Sequence, residues 1–83
     1  MKIKSYSPKA VTAAILGILK RETSFDPAYN ICIAEGCTEV FQDNMQTGDA
    51  DIILKEITFV LSQWMAADAA IRISKKIYST VTC

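Results

Sequence analysis

Two short stretches follow one formula: SYSP at residues 5–8 and SFDP at residues 24–27. Each sets a serine, an aromatic ring, a short oxygen-bearing side chain and then proline, and together they hold the chain's only two prolines. Proline has a fixed φ and no amide hydrogen. It therefore fits the first position of a helix, where that hydrogen would have no partner. A Ser or Asp just ahead accepts hydrogen bonds from the free amides of the first turn. The formula thus predicts two helix starts, capped by Ser7 and Asp26. At the first, Tyr6 and Val11 have the spacing of a hydrophobic staple.

After Pro8, apolar residues recur at Val11, Ala14, Ile15, Ile18 and Leu19, with Lys20 and Arg21 in the last turn. That spacing and that charge placement predict a first helix over about 8–22. After Pro27, residues Tyr29, Ile33, Cys37, Val40, Phe41 and Met45 fall on one side, with Glu35, Glu39, Gln42 and Asp43 largely opposite. Gly48 supplies a stop, so the second helix is placed at about 27–46. A rival reading exists here. YNICIA and CTEVFQ flank Glu35-Gly36 and are rich in strand formers, so a β-hairpin over about 29–42 is the alternative. A glycine inside a helix costs about 1 kcal/mol, which favours the hairpin.

From Asp49 to Cys83 there is no proline or glycine. Asp49 is the cap, and Asp51 adds negative charge to the first turn. Ile53, Ile57, Val60, Trp64, Ala67, Ile71, Ser74, Tyr78 and Val81 alternate steps of four and three, a heptad seam. One unbroken helix over about 50–80 would be ~45 Å long. Leu54, Phe59, Leu61 and Met65 lie off that seam, so its first half is apolar nearly all round and wants several neighbours. Beyond Ala70 the seam outruns the first two helices. Either the chain bends back near AADAA (66–70), or another chain covers its end. Asp68 and Arg72 are spaced to pair on the surface. The expected fold is all-α, three helices with a dominant long C-terminal one, in a single domain over 1–83. The alternative is α+β: a helix, the central hairpin and a C-terminal helix.

Composition limits the function. Eighty-three residues hold one small core, burying only about 60–65% of the unfolded surface. Nine basic and nine acidic residues cancel, which counts against a nucleic-acid coat. The charges are segregated: +4 over residues 1–22, −7 over 23–68 and +3 over the remainder. This is either a solvated surface or a dipolar subunit that docks on a charged partner. Lys2 and Lys4 before AVTAAILGIL imitate a secretory signal, but Lys20, Arg21 and Glu22 stand where small residues belong. The apolar run also falls far short of the ~20 residues that span a bilayer, so no transmembrane segment and a cytoplasmic location are expected.

Catalytic chemistry has little to work with. Without histidine, Ser and Cys triads lack their base. Cys32 and Cys37, five apart, would point about 140° apart on a helix, unsuited to a disulfide or a shared zinc. Reduced cysteines acting as apolar fillers are expected, with Cys83 a reactive terminal thiol. Gly17, Gly36 and Gly48 are isolated and cradle no phosphate. No enzyme activity, metal or cofactor is expected.

The leading expectation is a small protein–protein interaction module, self-associating or docking on a partner through the long C-terminal helix. Its contact residues would be Ile71, Tyr78, Val81, Trp64 and Met65, with Trp64, Met65 and Phe59 serving as core or as interface anchors. A second expectation is a phage- or plasmid-type inhibitor that blocks a basic site on a host enzyme through Glu35, Glu39, Asp43, Asp49 and Asp51. A third is a DNA-binding regulator using a lysine arm of Lys2, Lys4 and Lys9. Against it, residues 27–46 contain no lysine or arginine.

Overall fold

A computed structural model describes residues 7–44 and 48–82. Among these the chain forms four helices and no strand: α1 (Pro8–Glu22), α2 (Pro27–Asp43), α3 (Ala50–Ser62) and α4 (Ala67–Val81). The three helix starts expected from the sequence are present, with their caps. Ser7 Oγ accepts from the Ala10 amide at 3.4 Å, and Asp26 Oδ1 from the Ala28 amide at 3.1 Å. Asp49 Oδ1 accepts from the Asp51 and Ile52 amides at 3.0 and 3.2 Å. Tyr6, the outer half of the staple, lies outside the described residues.

The hairpin over 29–42 is not formed; all of it belongs to α2. Ile33, Ala34, Cys37, Val40 and Phe41 are buried together, a stripe that only helical spacing produces. The glycine that favoured a turn has another role. A Cβ on Gly36 would lie 3.2 Å from Val60 Cγ1, so its absence lets α2 and α3 approach closely. The expected end of α2 moves inward to Asp43, with Asn44 following in a turn, and Met45 lies outside the described residues. Gly48 does not stop α2. It takes φ 63°, which glycine adopts readily, and leads the chain into the Asp49 cap of α3.

The long C-terminal helix is the main correction. It breaks at Gln63–Ala66, which reaches the first residue of AADAA, and α4 folds back on α3, the first of the two options for the seam's end. No proline or glycine forces this. Ser62 Oγ and Gln63 Nε2 both donate to the Phe59 carbonyl, the Trp64 amide turns in to Leu61 O at 2.9 Å, and Ala66 becomes extended at ψ 153°. Folding back buries Ile73, Ile77 and Val81 inside one chain. Three such side chains are worth roughly 4–9 kcal/mol. The few helical hydrogen bonds lost at the break are worth roughly 2–6 kcal/mol and stay open to water. Burial wins. The molecule's longest extent is 32 Å, too short for the ~45 Å rod.

The helices form a closed ring. α1 packs on α2 and α4, α3 packs on α2 and α4, and the diagonal pairs bring no Cα atoms within 8 Å of each other. Hydroxyl pairs tie two of the seams: Thr12 with Thr38 at 2.7 Å, and Thr58 donating to Ser74 Oγ at 2.9 Å. Glu22 joins α1 to α4 through Arg72 at 2.5 Å and Lys76 at 2.9 Å. Arg72 therefore pairs across the ring rather than with Asp68, whose carboxylate accepts from the Ala69 amide.

Candidate functional site

The ring sorts the charges that the sequence sets out in blocks. Helix α1 carries Lys9, Lys20 and Arg21 against Glu22, and α4 carries Arg72, Lys75 and Lys76 against Asp68, each a net +2. Helix α2 carries Glu35, Glu39 and Asp43 with no cation, net −3, while α3 has Asp51 and Glu56 against Lys55, net −1. Because α1 neighbours α4 and α2 neighbours α3, one half of the ring is basic and the other acidic.

The acidic half also shows the largest apolar exposure. Three contacts fix the antiparallel seam between α2 and α3. Tyr29 and Trp64 meet at a 50° tilt with ring centroids 5.4 Å apart, Gly36 lies under Val60, and Asn44 Nδ2 donates to Glu56 Oε2 at 3.0 Å. Moving outward from that seam, helical geometry places Cys32, Glu39 and Asp43 on the α2 side and Ile52 and Phe59 on the α3 side. All five are exposed, and Phe59, at 69%, is more so than Ile52 at 45%. Tyr29, Ile52 and Trp64 are exposed large apolar residues as well. The strip thus carries Tyr29, Ile52, Phe59 and Trp64 together with the carboxylates of Glu39, Asp43 and Glu56. Lys55, one turn from Phe59, borders it on the α4 side.

Grooves lie along two of the three remaining seams. Leu54, Thr58, Ile71 and Ser74 line one between α3 and α4, with Lys55 and Lys75 also on its wall. Its volume is about 310 Å³, at the small end for a ligand pocket and open on one side, so it suits one side chain better than an enclosed substrate. The other lies between α1 and α2, where Leu16 and Ile31 meet charges of both signs, Lys9 and Glu35.

The residues expected at a partner contact separate. Ile71 is 46% exposed and lines the α3–α4 groove, and Trp64 is exposed at the α3–α4 turn. Met65 and Tyr78 are half-buried against the core, and Val81, 4% exposed, belongs to it. Past the break the buried stripe of α4 runs through Ala70, Ile73, Ser74 and Ile77, which turns Ile71 outward. The expected acidic set also divides. Glu35, Glu39 and Asp43 are exposed on α2, whereas Asp49 is occupied in capping α3, with Asp51 in that helix's first turn. Tyr29 and Ile52 are the large apolar members of the strip that sequence reasoning missed, and Cys32 and Glu56 were missed with them. Tyr29 had the spacing of a core residue; the signal against that was its distance of seven from Gly36, which sets both on the line facing α3.

Burial pushes the Cys37 thiol up to about 12, whereas Cys32 is exposed. Among the described residues no group of three or more His, Cys, Asp or Glu is placed to hold a metal ion, and no helix is long and apolar enough to cross a membrane. Lys2, Lys4 and Cys83 lie outside the described residues; Lys9 is exposed on α1. Comparison with protein-family models, with curated proteins and with solved structures gave no match to this chain.

Proposed function

We propose that this chain is a protein–protein interaction module whose working surface is the strip along the α2–α3 seam. The observation that carries the reading is the coincidence of four exposed large apolar residues, Tyr29, Ile52, Phe59 and Trp64, with an acidic border. Contiguous apolar exposure marks binding surfaces, and aromatic anchors supply most of the energy when a partner desolvates them. The acidic border selects a basic surface, speeds encounter and rejects acidic ones. Blocking a basic site on an enzyme is one form such a partner takes, and the net −3 of α2 supports it. Contact through the far end of a long helix is not carried forward, because that helix folds back.

The test is affinity capture with the immobilised chain and three variants. Phe59→Asp removes the anchor, Glu39→Lys with Asp43→Lys reverses the border, and Lys20→Glu on the basic half is the control. A protein retained by wild type and control, lost from both strip variants and released by moderate salt supports the reading. Equal retention by all four sinks it.

A further inference from the structure

The acidic strip has a counterpart on the same molecule. The α3–α4 groove has an apolar floor, Leu54 and Ile71, and its charged wall residues are both cations, Lys55 and Lys75. Neither lysine has an ion-pair partner among the described residues, whereas Arg72 and Lys76 are engaged by Glu22. The strip offers the reverse: a ring 69% exposed, Phe59, on its α3 side and two carboxylates, Glu39 and Asp43, on its α2 side, although Lys55 also stands one turn from the ring. The α1–α2 groove lacks this match, since Lys9 and Glu35 give it both signs. Phe59 and Thr58 are consecutive on α3 and so point about 100° apart. Phe59 therefore cannot enter its own chain's groove.

Resting on the interaction surface assigned above, we infer that the partner is a second copy of this chain. Phe59 of one copy seats between Leu54 and Ile71 of the next, with Glu39 and Asp43 meeting Lys55 and Lys75. The donating and accepting surfaces differ, and the inferred pairing is head to tail rather than reciprocal about a two-fold axis, a heterologous contact. Each pair keeps one unused ring and one unused groove, and assembly continues until it closes or concentration limits it.

Sedimentation velocity on the full chain tests this by complementation. Wild type is expected to sediment above the 9.2 kDa monomer and to grow with concentration. Phe59→Asp kills the donor and Ile71→Asp the acceptor; both sites are exposed, and circular dichroism confirms that the helices remain. Each variant alone is expected to associate about tenfold or more weakly. Mixed one to one, they restore one intact contact and stop at a heterodimer. A wild type that stays monomeric up to its solubility limit overturns the inference, as does an assembly indifferent to both substitutions or a mixture that stays apart. The two readings fail separately. A monomeric chain that still captures another protein through Phe59 ends the self-docking inference and leaves the working surface standing. If Phe59→Asp changes neither capture nor sedimentation, both end.

Discussion

Ala67→Pro distinguishes the observed fold from the unbroken helix by the sign of its effect. In the structure Ala67 is the first residue of α4, behind an extended Ala66 at φ −65° and ψ 153°. That is the conformation a residue ahead of proline prefers, and the amide lost at a first helical position has no helical partner. The substitution repeats what the chain does at Pro8 and Pro27. Its main effect falls on the unfolded chain, which loses freedom, so a gain of about 0.4–1 kcal/mol is expected. Inside a continuous helix the same proline would remove a hydrogen bond and clash with the preceding turn, at a loss of about 3 kcal/mol or more. The outcomes thus differ by roughly 3.5–4 kcal/mol. Urea denaturation followed by far-UV circular dichroism at one protein concentration resolves that gap easily. Thermal melts should agree, since about 4–8 °C accompanies each kcal/mol in a domain of this size. Ala66→Asp, which adds the side-chain cap that α4 lacks, should contribute about 1 kcal/mol in the same direction. Loss of stability in both variants would refute the break.

Three further outcomes follow from other parts of the molecule. Gly36→Ala should gain clearly less than the roughly 1 kcal/mol that helix propensity allows, and should recover it in a Val60→Ala background; equal gains in both backgrounds would remove the close approach. Hydrogen bonds from Lys76 and then Arg72 hold the Glu22 carboxyl below its ordinary value of 4.5. A carboxyl lowered by folding stabilises above its unfolded pKa and loses that contribution as pH falls through the folded one. Glu22→Gln should therefore be less stable than wild type near neutrality, with the gap closing below about pH 4.5, and a pH-independent gap would end this account. Alkylation under native conditions, mapped by mass spectrometry, should label Cys32 and spare Cys37 until unfolding; rapid labelling of Cys37 would contradict its burial.

The helix starts were legible because capping is local chemistry: Ser7, Asp26 and Asp49 act on amides two or three residues away. The break between α3 and α4 was legible only as one of two options, a bend near AADAA or cover by another chain, because its cause is distant. The seam from Ile53 to Val81 is continuous in sequence, and only the gain from burying Ile73 and Ile77 under α1 and α3 interrupts it. Gly36 misled for a related reason: its value lies in Val60, 24 residues on. The blocks of charge were plain in the sequence, but their sorting into halves needed the α1–α4 contact. The candidate strip was half visible. Phe59 and Trp64 stood out as anchors, while Tyr29 and Ile52 emerged only once α2 and α3 were set side by side.

Every helix contact but one joins neighbours in the chain. The exception is α1 with α4, where Glu22 reaches partners 50 and 54 positions away. Local pairings form quickly and distant ones wait on chain entropy, so the two helical hairpins are expected to form early and this latch to engage last. Weakening such a late contact hastens opening without slowing assembly, so changes at the α1–α4 seam, Glu22 included, are expected to act on the molecule's lifetime more than on its speed of folding.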